Sequence, residues 1–249
     1  MVHASGEIEP GEVRLIHGDC KLVLDKLEDP RVIFMDPPDN IGLKYDGFND
    51  DRPAEEYTQW LRGILAQCCR KAQTTWISFN TRWTLDLAFE AKHLVHCGFE
   101  WRQCIQGITF GQHNQRDFAN DHRPLWRFRK PGTKTITDAI RVPSWRQLNG
   151  DKRADSRGRV PGDLFMVPRV TGNSKQRRPW HKTQLNEKLV EMCIKSSAAP
   201  GDLVIDPFDG TGTTARVCKR LGIDCTLIEI SDAYVAKLSE ELGVPGEVL

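Results

Sequence analysis

A glycine-containing turn near the C-terminus has the residues best suited to holding a nucleotide-like ligand. The apolar run from Leu203 to Ile205 ends at Asp206-Pro207, and Gly210 and Gly212 follow before a helical pattern begins. Because glycine lacks a Cβ, such a turn lets backbone amides approach a ligand closely. A second apolar run ends at Glu229, whose carboxylate suits a pair of ribose hydroxyls. This combination predicts a nucleotide-type cofactor site.

The sequence Asp36-Pro37-Pro38-Asp39 is the second candidate for chemistry. It follows the apolar run from Arg31 to Met35, and the strand predicted there must end because proline cannot donate a hydrogen bond to a sheet. Asp36 would then lie at the carboxyl end of a strand, where open α/β sheets place their sites. A purely structural turn explains the two prolines equally well.

Alternating strands and helices would position both turns. We predict strands at 13–19, 31–35, 74–79, 101–109, 203–205 and 225–228, and helices at 20–27, 55–71, 84–97, 185–197 and from 215 onwards. The alternation favours an α/β fold with a mostly parallel sheet covered by helices on both faces. At 249 residues, the chain is long enough for one sizeable domain with an insertion.

Charge is distributed unevenly along the chain. Residues 113–180 contain 16 Lys and Arg against 6 Asp and Glu, a local charge of +10, whereas the remainder carries −9. A basic segment on an acidic body favours a polyanionic partner, most simply nucleic acid, although a solvated loop face would have the same composition. Trp126, Trp145 and Trp180 lie among these arginines, either to contact phosphates and bases or to anchor an irregular insertion.

The eight cysteines include no C-x-x-C pair, so neither a zinc site nor a disulfide framework is indicated, and we expect no bound metal. Several lie in apolar runs, where a thiol behaves as a small hydrophobic group. The segment from Met1 to Gly11 lacks the apolar run of a signal peptide, and no stretch is suited to span a membrane. These features favour a cytoplasmic protein.

Three blocks together resemble the amino-group DNA methyltransferases. Asp36-Pro37-Pro38 resembles their D-P-P-Y motif, the stretch from Asp206 to Thr214 resembles their D-P-F-x-G-x-G-T-T loop, and the stretch from His181 to Gln184 resembles their H-P-x-Q block. The order of the blocks resembles the circularly permuted β class of restriction–modification, phage and orphan enzymes. The resemblance implies a Rossmann-like fold with a seven-stranded sheet. It divides the chain into a catalytic half (1–112), a basic target-recognition insertion (113–180) and a cofactor-binding half (181–249).

The resemblance also implies S-adenosyl-L-methionine as the cofactor. Glu229 would accept hydrogen bonds from its ribose, Asp19 would meet its adenine amine, and His181 would be either a ligand contact or a structural hydrogen-bonding group. The residues expected at the cofactor are Asp19, Cys20, Asp36, Thr183, Gln184, Asp206, Phe208, Gly210, Gly212, Thr213, Thr214 and Glu229.

The implied reaction is methyl transfer to the exocyclic amine of a base flipped out of DNA, with N6 of adenine favoured over N4 of cytosine. Asp36, Pro37, Pro38 and Asp39 form the expected catalytic block. The expected substrate contacts are Tyr45, Phe48, Arg157, Arg159, Lys175, Arg177 and Arg178. A catalytically silent nucleic-acid-binding subunit is the alternative, RNA is a second candidate substrate, and formation of a homodimer stays open.

Asp39 is the main departure from the family pattern, because an aromatic residue that stacks on the flipped base usually follows the two prolines. Unpaired burial of a carboxylate costs several kcal/mol. Asp39 should therefore turn to solvent or to a basic partner such as Lys44 or an arginine of the insertion, or else accept hydrogen bonds from the base. In the first two cases Tyr45 or Phe48 would cover the base and Asp39→Tyr would preserve activity. Lys182 and Asp209 are lesser departures.

Overall fold

The fold is organised around one sheet in the computed structural model, which describes residues 11–108 and 115–249. The strands in this part of the chain are β1 (Val13–His17), β2 (Val32–Met35), β3 (Thr74–Ser78), β4 (Glu100–Gly107), β5 (His122–Arg129), β6 (Leu164–Met166), β7 (Leu203–Asp206), β8 (Asp224–Glu229) and β9 (Gly246–Val248). Their order across the sheet is β6-β4-β5-β3-β2-β7-β8-β1-β9. All neighbours are parallel except β5, which runs antiparallel to both β3 and β4.

Helices cover both faces of this sheet. They are α1 (Cys20–Val23), α2 (Ala54–Lys71), α3 (Thr84–His96), α4 (Trp145–Leu148), α5 (Glu187–Lys195), α6 (Thr213–Leu221) and α7 (Asp232–Leu242). Apolar side chains of α1, α2 and α3 pack in one core cluster, and those of α5, α6 and α7 pack in a second cluster on the opposite face. The predicted doubly covered α/β fold is confirmed, and it aligns the carboxyl ends of the parallel strands along one edge.

The implied count of seven strands is wrong for the described residues, which form nine. The two strands at the ends of the sheet, β6 and β9, are only three residues long. Such short edge strands carry too little periodic pattern to be recognised in a sequence. The seven strands between them form the body of the sheet.

The largest departure from the predicted elements is β5. It lies inside the segment assigned to the basic insertion, yet it pairs along its whole length with β4 and also with β3. A boundary at residue 113 therefore cuts through the sheet, and the chain leaves the sheet only after Arg129. The predicted strand end at 109 and insertion start at 113–114 lie outside the described residues, as does most of the Met1 to Gly11 segment.

Other elements agree closely with their predicted bounds. The predicted helix at 20–27 is a short α1 followed by the 3-10 turn Leu24–Lys26. Cysteines 20, 68, 69, 104, 193, 218 and 225 are buried, as expected for small apolar groups. Among the described residues, none of the helices has both the length and the apolar character needed to cross a membrane.

Candidate active site

The carboxyl ends of β1, β2, β7 and β8 open into a cavity of about 590 Å³. Its volume falls within the usual range of small-ligand sites. Most predicted cofactor and base-binding residues line it: Asp19, Cys20, Asp36, Pro37, Pro38, Asp39, Tyr45, Phe48, Arg177, Thr183, Gln184, Asp206, Phe208, Gly210, Thr213, Thr214 and Glu229. Gly212, Arg157, Arg159, Lys175 and Arg178 do not. The fold thus brings together two turns that are 170 residues apart in sequence.

The loop after β7 is shaped by its own polar side chains. Asp206 accepts hydrogen bonds from the Phe208 amide (2.9 Å) and the Thr214 hydroxyl. The Thr211 and Thr213 hydroxyls are 2.9 Å apart, and Arg216 donates to the Thr211 carbonyl at 2.9 Å. These contacts hold the loop against the start of α6.

The two glycines of this loop serve different purposes, although both have positive φ, +54° at Gly210 and +73° at Gly212. A Cβ on Gly210 would meet the His181 ring at 2.7 Å, at the wall of the cavity. A Cβ on Gly212 would instead meet Arg216 Nη1 at 3.0 Å and Leu238 of α7 at 3.1 Å. The protein's own side chains therefore fill the space beside Gly212, and its assignment to the cofactor stays a prediction.

Asp209 is a buried carboxylate within the same loop. Its Oδ2 accepts a hydrogen bond from the Gly212 amide, whereas its Oδ1 is buried with no hydrogen-bonding partner among the described residues. Burial raises the pKa of Asp209 to about 7, although Arg216 opposes the shift. The neighbouring Asp206 also has a raised pKa, chiefly through burial and then through the charge of Asp209.

Two carboxylates lie at the carboxyl ends of neighbouring strands, Glu229 at the end of β8 and Asp19 just after β1. Glu229 is only 8% exposed, and one of its oxygens accepts from the Ser231 amide at 2.8 Å. Burial raises the pKa of Glu229. Asp19 caps α1 by accepting from the Lys21 amide at 2.9 Å. Both side chains border the cavity, where an acid at a strand end suits the hydroxyls and amines of a nucleoside.

The block at 181–184 closes the cavity from the opposite side. His181 Nδ1 contacts the Thr183 carbonyl, its ring lies 4.7 Å from that of Tyr234, and burial lowers its pKa. Gln184 holds the preceding loop, since its amide accepts from the Arg178 amide at 2.8 Å and donates to the Gln176 carbonyl at 2.7 Å. His181 therefore has a structural hydrogen bond and also borders the cavity.

The turn after β2 is fixed by hydrogen bonds from three directions. The Tyr57 hydroxyl of α2 donates to the Pro38 carbonyl at 2.5 Å, and Trp83 Nε1 donates to the Asp39 carbonyl at 2.8 Å. Asp50, 2% exposed, accepts from the backbone amides of residues 40, 41 and 43. Asn40 takes up the left-handed conformation that this compact loop requires, with φ of +55°.

Asp39 turns to a basic partner, and that partner is an arginine of the predicted insertion. Arg123 of β5 donates from Nη1 and Nη2 to the two Asp39 oxygens at 2.8 and 2.9 Å, and from Nη2 to Asp36 Oδ1 at 2.9 Å. The prediction of such a partner is confirmed, while the named alternative Lys44 does not supply it. Burial raises the pKa of Asp36, and the charge of Arg123 acts against that rise.

Aromatic rings line the part of the cavity next to this ion cluster. The Tyr45 hydroxyl lies 3.3 Å from the Thr183 hydroxyl, and burial raises the pKa of Tyr45 to about 12. The Phe48 ring packs 5.2 Å from the Trp60 ring under the Arg52 guanidinium. Tyr45, Phe48 and Trp60 all line the cavity, and Trp60 also makes an edge contact with Phe208.

The basic residues of the insertion fall into two groups. Arg169, Arg177 and Lys182 line the cavity, are exposed, and have no side-chain hydrogen bond or ion pair to any described residue. By contrast Arg157 pairs with Asp155 at 3.1 Å and Arg178 pairs with Glu241 at 2.6 Å. Among the described residues, the loop at 153–159 keeps one arginine without an ion pair, Arg159, whereas three such cations border the cavity.

The three tryptophans also divide. Trp126 is 3% exposed and packs against Phe79 and Trp101, so it is a core residue of β5. Trp180 donates to Glu241 at 3.1 Å and contacts the Tyr234 ring. Trp145 on α4 is 74% exposed. Only Trp145 keeps the exposure that a nucleic-acid contact needs.

Sequence reasoning did not name Arg123, Ser78, Trp60, Tyr234 or Arg169 as site residues. No motif marks them, because they come from strands and helices whose relative positions only the fold reveals. One signal did exist for Arg123: an aspartate at the position usually held by an aromatic residue requires a basic partner.

The cavity fits S-adenosyl-L-methionine, the cofactor that the sequence motifs imply. Glu229 and Asp19 offer acceptors to ribose hydroxyls and an amine, and Phe208 offers an apolar wall. Glycine at position 210 lets the loop take its left-handed turn against the His181 ring, which borders the same cavity. The cavity is large enough for a nucleoside together with a planar base.

Residues 31–241 match the model of the N6/N4 methyltransferase family, which is described as DNA methylase. The chain is 31% identical over 243 residues to the type II methyltransferase M.BglII of Bacillus subtilis. The alignment covers 89% of this chain and 66% of that protein. It is 30% identical over 242 residues to the DNA adenine methyltransferase YhdJ of Escherichia coli strain K12, covering 89% and 79% respectively.

Among solved structures, the chain is similar to that of M1.HpyAVI in complex with SAM. The TM-score is 0.59 at 18% identity, and the match covers 92% of this chain and 99% of the other. At that identity the likeness supports the fold alone.

Proposed function

Because this chain belongs to the N6/N4 DNA methylase family, we propose that it transfers a methyl group from S-adenosyl-L-methionine to the exocyclic amine of a DNA base. One observation carries the proposal. The glycine-containing loop after β7 and the Asp36-Pro37-Pro38 turn after β2 line a single cavity at the carboxyl ends of neighbouring parallel strands. A cofactor in the loop would face a base held at the turn.

An exocyclic amine needs help to react, because its lone pair is delocalised into the ring. The Asp36 carboxylate and the Pro37 carbonyl accept its two N–H groups and favour the tetrahedral geometry that frees the lone pair. When bound, S-adenosyl-L-methionine supplies an electrophilic methyl group. Once the amine nitrogen carries the methyl group, Asp36 would take up the proton that the nitrogen loses and pass it to water. Positioning and electrostatics carry this step.

The cofactor is held by residues from three strand ends. Glu229 accepts from the ribose hydroxyls, Asp19 accepts from the adenine amine, and Phe208 covers the apolar part. Thr183 and Gln184 close the cavity from the loop before α5. The buried base leaves the duplex to reach Asp36, and Tyr45 or Phe48 covers its ring.

DNA is the proposed partner. Arg169, Arg177 and Lys182 at the cavity have exposed charges not engaged by the described part of the chain, as phosphate contacts require. Arg157, Arg159, Lys175 and Arg178 stay predicted contacts farther from the base. We further propose the β class and a type II-like modification role, since M.BglII is a type II methyltransferase.

Adenine N6 is the proposed acceptor. It is supported by the similarity to a relative that is itself a DNA adenine methyltransferase. Transfer to N4 of cytosine is the competing chemistry within the same family, and both amines would make the same hydrogen bonds to Asp36 and Pro37.

The test is transfer of tritiated methyl groups to unmethylated DNA, together with calorimetric binding of S-adenosylhomocysteine. We expect label in the DNA and saturable ligand binding. Ligand binding without transfer to DNA, and with transfer to RNA also absent, would instead support a silent nucleic-acid-binding subunit, the alternative that Asp39 in the place of an aromatic residue suggests.

A further inference from the structure

Arg123 lies at the centre of the catalytic turn, although no motif assigns it a role. It is the second residue of β5, and its side chain is 19% exposed. Its Nε donates to the Ser78 hydroxyl of β3 at 2.8 Å, while its two Nη atoms bridge Asp39 and Asp36. Every guanidinium nitrogen thus has an acceptor, so the side chain is fixed in one geometry.

The carboxylate of Asp39 is directed at Arg123 by the backbone around it. Trp83 and Tyr57 hold the carbonyls of residues 39 and 38, which fixes the orientation of the turn. The bidentate contact then uses both Asp39 oxygens. Asp39 in place of an aromatic residue is therefore the anchor of Arg123.

Without Arg123, two carboxylates would lie close together in a poorly hydrated site. Like charges and burial would both favour protonation of one of them. A protonated Asp36 would lose half of its capacity to accept N–H groups from an amine. Ser78, whose hydroxyl also hydrogen-bonds to Asp36, is neutral and cannot replace the lost charge.

We propose that Arg123 is a positioning residue: anchored by Asp39 and Ser78, it keeps the Asp36 carboxylate ionised and oriented toward the target amine. The inference rests on the proposed methyl transfer and extends it. It also implies that the effect of a substitution at position 39 depends on the residue at position 123. Asp39→Tyr would restore the family motif but remove the bidentate partner of Arg123, so that substitution alone should lower activity, the reverse of the expectation from sequence.

The test is the pH dependence of kcat and KM for the wild type and Arg123→Met. Groups facing Asp36 are Arg123 from β5, Asp39 from the same turn, Asp206 from β7, and the phenols of Tyr45 and Tyr57. Since the reaction needs ionised Asp36, kcat falls as pH drops through its pKa. On the acidic side of the pH profile, loss of Arg123 should move the fall in kcat, the acid limb, to higher pH by about one unit or more. It should also lower the maximal kcat by about 10²-fold.

Arg127→Met is the matched control. Arg127 lies four residues further along β5 on the same face, is partly buried, and does not line the cavity. It should leave kcat and its pH profile unchanged. Arg123→Lys should leave the pH at which kcat falls near that of the wild type, because it retains the positive charge. It should still lower kcat, because an ammonium group lacks the planar, bidentate donors of the guanidinium.

The double variant Asp39→Leu with Arg123→Met separates positioning from folding. It removes the ion pair while leaving apolar groups, so its Tm should approach that of the wild type, but kcat should stay low. Recovery of kcat together with Tm would show that Arg123 is merely structural, as would a wild-type pH profile in Arg123→Met. Absence of transfer by the wild type would overturn the proposed function itself, and this inference with it.

Discussion

Asp36 is the residue on which the proposed reaction depends most, because its carboxylate is the acceptor nearest to the amine. Asp36→Ala should lower methyl transfer by about 10²-fold or more, as for other preorganised polar groups. Arg123 would keep its bidentate contact with Asp39, so the turn should hold its shape. Steady-state kinetics with S-adenosylhomocysteine affinity as the control checks this. Activity within a few-fold of the wild type would refute the assigned role.

The buried carboxyl of Asp209 should make the free energy of unfolding depend on pH. Burial raises its pKa to about 7, above the value of a free aspartate, so the folded protein binds more protons than the unfolded chain between about pH 4 and 7. Its contribution to the free energy of unfolding therefore falls as pH rises through this window. Asp209→Asn, which keeps an acceptor for the Gly212 amide, should be more stable than the wild type above pH 7.

The advantage of Asp209→Asn should shrink as pH falls toward 4, where the folded wild type already holds the proton at Asp209 and the unfolded chain begins to bind it. Urea unfolding of both ligand-free proteins across this range measures it. A stability difference that does not change with pH would show that Asp209 does not titrate in the folded protein.

At the scale of elements, the glycine turn links β7 to α6 and also packs against α7. Gly212→Ala and Gly132→Ala both place a side chain at positive φ, at a cost of about 1–2 kcal/mol. At Gly212 the new Cβ would meet Arg216 Nη1 at 3.0 Å and Leu238 of α7 at 3.1 Å, whereas Gly132 faces open space. Gly212→Ala should therefore lose more stability in chemical denaturation. Equal losses would show that the close contacts with Arg216 and Leu238 do not affect stability.

Elements with a clean apolar period could be predicted from the sequence, and β5 shows why others could not. β2 and β7 are continuous apolar runs, the pattern of strands buried on both faces. In β5, Arg123, Arg127 and Arg129 lie among apolar residues, and Pro124 is a residue that a sequence pattern does not expect inside a strand. Arg123 is accommodated by Asp36 and Asp39 and Arg129 by Glu100, all distant in sequence, while the nearby Thr135 accepts from Arg127 and Arg129. Tertiary partners, not local propensity, make this segment a strand.

The same distinction holds for the site. Motif residues such as Phe208, Glu229 and Asp36 could be placed from sequence because each follows a recognisable strand. Arg123 and Trp60 could not, because their roles depend on distances across the fold. The packing of Gly212 against Arg216 and Leu238 also depends on the fold and has no signal in the sequence.

At the scale of the whole molecule, the arrangement of basic residues predicts how DNA binding responds to salt. Arg169→Gln with Arg177→Gln removes two exposed cavity charges and should reduce the slope of log K against log salt by about 2. Arg157→Gln with Arg159→Gln should reduce it by less than that, because Asp155 already pairs with Arg157. Binding to one duplex at several salt concentrations measures both. The opposite ranking would place the DNA on the loop at 153–159.

We propose that this fold joins a methyl donor to a DNA base amine in one cavity. Incubation of DNA with the protein and S-adenosyl-L-methionine carrying a deuterated methyl group, followed by mass spectrometry of the nucleosides, tests it most directly. The wild type should produce deuterated N6-methyladenine and Asp36→Ala should produce almost none. N4-methylcytosine as the sole product would overturn the choice of base, and an absence of any labelled base would contradict the proposed function.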